Sequence, residues 1–431
     1  MTRSSRTGSQ TMRADCIQTR ESAPLDASAM DARTPWRSCV VVGLGGLFHG
    51  VTGPLLSTFV PILVRDAIGD HRSGIGAVMA IDNVLLLLLV PFAGVASDRS
   101  VALGRGRMPL VYVGLSLAAL GMATFPLSAA AGLPGIVAAM VLLYSGINAV
   151  RSPLHALVPD LVPSRHRSLA QGSFIFQMYA GAILFLMLGR AVGMRVGFLV
   201  ASATILAIAG TFALALREPR EVASSATETT YGALVATAAA AFGGTLPGLR
   251  AMFAAALLLN LTFQTFTTWF ALHGTERFGL TAEDVTVGFI AWSLGGILGA
   301  LPAGFIGTRL GRRNAMLAGF ALLALCLGAL HLVTTLSQLV PLLMLASAAW
   351  ALPAVNAYPL FVEPIPRERR GALAALFLLA MALGGAIGDP LNGAAFDLAR
   401  GYHPMFLLMA AYTALAFGAV VAIPRGAGEA R

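Results

Sequence analysis

About twelve long apolar stretches dominate this chain of 431 residues. Each is close to the roughly 20 residues that an α-helix needs to cross the hydrocarbon core of a bilayer. The chain is 57% hydrophobic and only 11% charged, with a mean hydropathy of +0.78, so it is too apolar for a soluble domain. Hydrocarbon forces backbone groups to pair within their own segment, so we expect helices. The predicted spans, numbered in chain order, lie near 39–64, 74–97, 108–128, 134–158, 168–189, 194–216, 249–273, 284–307, 314–334, 338–362, 371–395 and 403–423.

The distribution of charge gives the predicted topology. The formal charge is +9, and all 29 basic residues are arginine. If the N-terminus is inside, about 22 arginines face the cytoplasm and about six face outside, which follows the positive-inside rule. We therefore expect a multi-pass protein of the inner (cytoplasmic) membrane with both termini in the cytoplasm, and a lipid rather than a nucleic-acid partner. The outer arginines are matched roughly one for one by outer acids, and they are Arg65, Arg72, Arg190, Arg195, Arg277 and Arg400.

The spans divide into two groups of six. Residues 1–38 are rich in Arg, Ser and Thr without apolar periodicity, which predicts a disordered cytoplasmic tail. Residues 39–216 and 249–425 are the two predicted six-helix bundles. Between them, 217–248 is the predicted central cytoplasmic loop, with a short helix along the membrane surface over 233–242.

Two motifs recur at equivalent places in the two halves. Asp160-Leu-Val-Pro-Ser-Arg-His-Arg167 follows span four, and Glu363-Pro-Ile-Pro-Arg-Glu-Arg-Arg370 follows span ten. Gly94-x-x-x-Asp98-Arg99 closes span two, and Gly304-x-x-x-Thr308-Arg309 closes span eight. Parallel repeats of this size are typical of secondary transporters, so the echoes indicate duplication of a six-span unit.

Three segments carry a family resemblance. They are Ala80-Ile-Asp-Asn83 running through Pro91-Phe-Ala-Gly-Val-Ala-Ser-Asp-Arg99 to Pro109, then Arg151-Ser-Pro-Leu-His-Ala-Leu-Val-Pro-Asp160, and then Pro163 to Ala170. The chain resembles the major facilitator superfamily and, more narrowly, the sucrose-transporter-like group, close to glycoside–cation symporters. The resemblance implies an all-α fold of twelve transmembrane helices in two bundles, and solute transport by alternating access.

The chain also departs from this pattern. Thr308 replaces the acid expected in the second loop motif, which predicts an asymmetric gate. Melibiose-type carriers place carboxylates where this chain has Leu86, Val90 and Arg151, so their cation chemistry is not carried over. Span five lacks the Gly-Pro signature of drug/proton antiporters.

Two acids inside the spans are the predicted proton-coupling residues. Asp82 lies about a third of the way into span two from outside, where a charge costs roughly 2.5–3.5 kcal/mol. Desolvation favours its neutral form, as a proton carrier requires. Asp389 lies in the outer third of span eleven, where Pro390 predicts a break or kink. The alternatives are a structural acid for Asp82, bonded to Asn83 or a neighbouring helix, and an Asp389 that faces outer water.

Arg151 is the leading predicted substrate residue. It lies late in span four, and its guanidinium stays charged, so it needs an acid, carbonyls or water. Alternatively it snorkels to the cytoplasmic interface. The other candidates are polar or aromatic residues within the spans, and helix–helix contact is the alternative role for several of them. They are His49, Asn83, Asn148, Gln177, Asn260, Gln264, Trp292 and Asn356.

The charged loop motifs predict a cytoplasmic gate. The resemblance implies that Asp98 approaches the start of span eleven, where a helix N-terminus stabilises an anion. Alternatively, these charges only set the topology. The gate residues are Gly94, Asp98, Arg99, Gly104, Arg105, Arg107, Asp160, Arg309, Glu363 and Arg370.

No catalytic, metal-spaced or nucleotide-binding pattern stands out, so we expect no enzyme activity and no cofactor. The leading prediction is a monomeric transporter that moves a sugar or glycoside inward by proton symport. The alternatives are an organic-anion or drug transporter of the same fold, and a membrane sensor that has lost transport.

Overall fold

The computed structural model describes residues 36–162, 166–216, 248–362 and 370–424. These residues form twelve α-helices, with a short 3₁₀ turn at Ala129–Ala131, and the described part of the chain contains no strand. The helices are α1 Trp36–Ile68, α2 Arg72–Met79, α3 Ile81–Ala102, α4 Met108–Ser128, α5 Gly132–Leu161, α6 Arg167–Ala215, α7 Leu249–Phe278, α8 Ala282–Leu310, α9 Arg312–Leu332, α10 Leu336–Val362, α11 Arg370–Ala399 and α12 Met405–Val421.

These helices account for twelve spans. By length and composition, eight helical stretches of the described residues can cross a membrane, or nine if the pair bent by 42° around residue 301 in α8 is one span. Two of those stretches each contain two spans, because α4 and α5 run together and α6 is 49 residues long. The remaining span is α12, with 17 residues.

Helix α1 begins at Trp36, inside the predicted tail. Span two is divided at Ala80 into α2 and α3, although Ala80 keeps right-handed helical dihedrals and the two helices form one stretch of 30 residues. Spans five and six follow each other in α6, which consists of two helices separated by a kink at Gly193, with φ 80°, as the predicted spans require. Helix α11 continues through Pro390, so Pro390 does not end the helix there, and the predicted kink stays a prediction. The predicted surface helix 233–242 lies outside the described residues.

The two halves repeat the same packing. In the first half, α1 packs on α6, α4 packs on both α5 and α6, and α3 packs on α5. In the second half, the corresponding contacts are α7 on α11, α9 on both α10 and α12, and α8 on α10. This agreement is what duplication of one unit predicts. The halves meet where α2 and α3 pack on α11, α6 packs on α8, and α1 packs on α7 and α8.

Glycines allow close approach within each half. A Cβ at Gly46 would overlap the carbonyl of Phe174, and a Cβ at Gly295 would overlap that of Met344. Small residues at such crossings let backbones touch, which is how transmembrane helices gain van der Waals contact without a hydrophobic driving force.

Candidate functional site

One face of α5 carries four polar side chains. Tyr144, Asn148, Arg151 and His155 are separated by four, three and four residues, so they lie on one side of the helix over about 16 Å. Tyr144 and His155 are not among the residues predicted from sequence. Their helical spacing relative to Asn148 and Arg151 is the sequence feature that could have identified them.

Asp82 lies against this polar face. It is half-buried, and the Asn148 amide Nδ2 donates to Asp82 Oδ1 at 3.2 Å. Arg151 is near enough to interact electrostatically with Asp82. Neighbouring Asn83 is 5% exposed, and a Cβ at Gly385 of α11 would overlap its side-chain amide. The predicted substrate residues Asn83 and Asn148 therefore lie around the predicted proton-coupling acid.

Two histidines extend the polar face towards the inner end of α5. His49 of α1 stacks on His155 with ring centroids 6.1 Å apart and planes at 18°. Phe174 of α6 packs against both rings, at 5.0 Å from His155 and 6.1 Å from His49. Arg151 interacts electrostatically with both imidazoles. His49 Nε2 is buried and has no hydrogen-bond partner among the described residues, while His155 is exposed.

Asp389 is the corresponding buried acid of the second half, on α11. Its side chain is fully buried, and Gln264 Nε2 of α7 donates to its Oδ2 at 3.3 Å and to Thr268 Oγ1 at 3.3 Å. Asp389 Oδ1 has no partner in the described part of the chain. Asp389 is buried and does not face outer water, and its proton-coupling role stays a prediction.

The two acids lie at the same depth. Asp82 is ten residues from the outer end of α2, and Asp389 is ten residues from the outer end of α11, so each lies about 15 Å in. Tyr144 interacts electrostatically with both carboxylates. Each acid accepts a hydrogen bond from a side-chain amide of its own half, Asp82 from Asn148 and Asp389 from Gln264.

Four other predicted substrate residues lie in helix contacts. Gln177 Nε2 donates to a backbone carbonyl of α1 at 3.0 Å, Asn356 Nδ2 donates to one of α8 at 3.1 Å, and Asn260 donates to one of α11. Trp292 is 7% exposed and stacks on Phe266 with centroids 4.2 Å apart. A substrate-binding role for these four stays a prediction.

A set of polar contacts joins the two halves at their outer ends. We call it the outer gate. Asp397 of α11 accepts from the first two backbone N–H groups of α2, those of Arg72 at 3.0 Å and Ser73 at 2.8 Å. The Arg72 guanidinium pairs with Glu276 Oε2 at 3.5 Å and lies 4.8 Å from the centre of the Tyr402 ring.

Two further contacts complete the outer gate. Arg65 donates to Thr275 Oγ1 at 3.0 Å, and Arg190 pairs with Asp284 at 3.1 Å. Burial raises the pKa of the Tyr402 phenol, so it stays neutral against Arg72. The sequence analysis did not predict this gate, although the roughly equal numbers of outer arginines and outer acids could have indicated it.

Glycines bring the outer parts of α2 and α11 into direct contact. A Cβ at Gly76 would overlap the carbonyl of Asp389, and a Cβ at Gly393 would overlap that of Arg72. The contact therefore runs from the outer surface to the depth of the two acids, and this structure is closed on its outer side.

The predicted cytoplasmic gate is described only in part. Arg107 donates to Ser97 Oγ at 2.9 Å. Gly104 and Gly106 turn the loop with φ of 70° and 71°, which explains glycine in that motif. Gly94 lies where α3 approaches α5, Arg99 and Arg105 are exposed, and Arg309 stacks on Phe305 of its own helix at 4.1 Å. The side chains of Asp98, Asp160 and Arg370, and the whole of Glu363, lie outside the described residues.

No group of three or more His, Cys, Asp or Glu side chains in the described residues is placed to hold a metal ion. The described side chains around Asp82 and Asp389 offer carboxylates and amides, and the inner part of α5 adds a guanidinium and an imidazole; these groups have the chemistry to exchange protons and to hydrogen-bond polar solutes.

Comparisons with known proteins agree with the fold. Residues 42–293 and 275–430 match the Major Facilitator Superfamily. No curated protein matches the chain. Among solved structures, a bacterial homologue of the human lysosomal transporter Spinster, in an inward-facing and unoccupied conformation, has a TM-score of 0.72 at 14% identity, over 91% of this chain and 98% of that one.

Two further solved structures are similar. The nucleoside transporter NupG has a TM-score of 0.70 at 15% identity, over 90% of this chain and 98% of its own. A D-xylose–proton symporter has a TM-score of 0.72 at 16% identity, over 92% and 99%. The protein is a multi-pass membrane transporter and not an enzyme, and by its matched residues it belongs to the major facilitator superfamily.

Proposed function

We propose that this chain carries a small polar solute inward together with a proton, by alternating access between the two halves. The observation that carries the proposal is the pair of carboxylates at matched depth, Asp82 and Asp389, each bonded to an amide of its own half. An ionised carboxylate at the centre of a bilayer costs roughly 2.5–3.5 kcal/mol, and protonation removes that cost. Proton exchange is therefore the chemistry best supported by these positions.

The structure also supplies the gate that such a cycle needs. With the outer gate closed, neither acid can exchange protons with the outside along the contact between α2 and α11. Opening must separate Asp397 from α2 and Arg72 from Glu276, while the cytoplasmic gate residues close the inner side. Rocking of two similar bundles around a central site is the general behaviour of this kind of fold.

The finer assignments belong to the same proposal. We take a sugar or glycoside as the solute class, following the resemblance to the sucrose-transporter-like group. On charge and composition we place the chain in the inner membrane with cytoplasmic termini and a central loop at 217–248, and we take the transporter to be monomeric.

The test is solute-induced external alkalinisation in energy-starved cells that express the chain. A chain-dependent rise in external pH on addition of a solute supports symport, because inward solute then takes protons with it. Cells that carry the empty vector are the control. If the protein is in the membrane and a solute enters through it without any proton movement, proton coupling is wrong.

A further inference from the structure

We propose that Arg151, His49 and His155 form a subsite for an oxyanion, a carboxylate or phosphate, carried by the transported solute. The inference rests on the proposed transport of a small polar solute, and it replaces the neutral sugar or glycoside taken above with a solute that carries an acidic group, such as an acidic sugar. It concerns the inner part of the polar face of α5, where the sequence prediction had placed Arg151 and His49 without His155.

Charge is the first argument. Three side chains that can donate hydrogen bonds to anions lie together here, since Arg151 and His155 are one turn apart on α5 and His49 stacks on His155. One acid, Asp82, faces Arg151, and Asp82 also accepts from Asn148. A guanidinium has five N–H donors in a planar fork, more than one shared carboxylate uses. The set therefore has donors left for an oxyanion.

Unused hydrogen-bonding capacity is the second argument. His49 Nε2 is buried without a partner among the described residues, and an unsatisfied buried polar atom calls for a specific reason. The His49 and His155 rings are held nearly parallel at 6.1 Å, with Phe174 packed against both. Aromatic packing on this scale fixes the rings without using their nitrogen atoms. A bound oxyanion would accept from them.

Access is the third argument. His155 is exposed and Arg151 is half-buried, although both lie within span four. His155 is six residues from the inner end of α5, or about 9 Å, and the outer side is closed by the outer gate. A solute that binds in this state reaches the subsite from the inner side, and in the opposite state it arrives from outside past Asp82.

The test uses the full chain, purified in detergent, and pairs of solutes that share a skeleton and differ by an acidic group. The probes are glucose with glucuronate and glucose 6-phosphate, glycerol with glycerol 3-phosphate, and propanediol with lactate. Thermal unfolding and tryptophan fluorescence at constant ionic strength report binding. At least one acid should bind about tenfold or more tightly than its neutral partner, since charge-assisted hydrogen bonds are about twice as strong as neutral ones.

Substitutions test which side chains produce the preference for the acid. Arg151→Gln should lose the preference for the acid, which is about tenfold or more in the ratio of the Kd values of the neutral solute and its acidic partner. His155→Phe keeps an aromatic ring against Phe174 and removes the N–H, so it should weaken the acid several-fold. Arg195→Gln removes an exposed arginine elsewhere and is the matched control; it should bind like the original chain.

The subsite is wrong if no acid binds better than its neutral partner, or if Arg151→Gln keeps the preference. Proton flux with neutral solutes alone would refute the subsite and leave proton-coupled transport standing. An acid that binds through Arg151 and crosses the membrane without protons would refute the coupling and leave the subsite standing.

Discussion

Asp397 links the two halves more directly than any other outer side chain described above, and its removal should open the outer gate. Its two oxygens accept from the Arg72 and Ser73 N–H groups, so a carboxylate of the second half caps a helix of the first. Replacing a capping side chain with Ala costs about 0.5–2 kcal/mol. These two hydrogen bonds exist only while the gate is closed, so the substitution destabilises the closed state and leaves the open state unaffected.

That loss corresponds to a shift of about two- to thirtyfold towards the outward-open state in Asp397→Ala. Electron–electron distance measurements between spin labels at Ala67 and Arg277, exposed at the outer ends of α1 and α7, report the two states. The native cysteines must first be replaced. The fraction at long distance should rise in Asp397→Ala and rise less in Asp397→Asn, which keeps an acceptor oxygen.

Asp70→Ala is the matched control, because Asp70 is an exposed outer carboxylate that makes none of the outer-gate contacts described above. It should leave the distances nearly unchanged. If Asp397→Ala also leaves them unchanged while the variant is folded, the cap does not hold the gate and the reasoning fails.

Two other predictions concern packing. Gly76→Ala places a Cβ against the carbonyl of Asp389, so it should also raise the long-distance fraction, and a closed gate in this variant would mean that α2 and α11 do not touch here. Asn392→Leu removes a buried amide that donates to Thr265 Oγ1 at 2.8 Å and accepts from Tyr412 at 2.8 Å. Each such bond inside a membrane protein is worth about 0.6 kcal/mol, so the Tm should fall by a few degrees while solute binding stays the same. A large loss of binding at unchanged Tm would assign Asn392 to the solute site.

The number of spans and their duplication could be predicted because apolar length and loop motifs are local properties. The division at Ala80 could not, because no proline or glycine marks that position. The unbroken helix at Pro390 shows the reverse case, where a helix-breaking residue is accommodated by its surroundings.

The half-buried position of Asp82 and the buried position of Asp389 could be predicted because each is an acid within an apolar span, while their proton-coupling role stays a prediction. The site could not be predicted where partners come from distant segments. The stacking of His49 on His155 is visible only in the structure, and so are the hydrogen bonds of Asp397 to α2. Arg72 and Glu276 are 204 residues apart, so the roughly equal numbers of outer arginines and acids did not identify them as partners.

The most direct test of proton coupling is transport by purified protein in proteoliposomes, using the solute that binds most tightly. Counterflow exchange without a pH gradient is compared with accumulation driven by a pH gradient, for the original chain, Asp82→Asn and Asp389→Asn. The account predicts that at least one substitution abolishes accumulation and leaves counterflow, since an amide cannot carry the proton but preserves the shape of the side chain. Accumulation at the original level in both variants would contradict it.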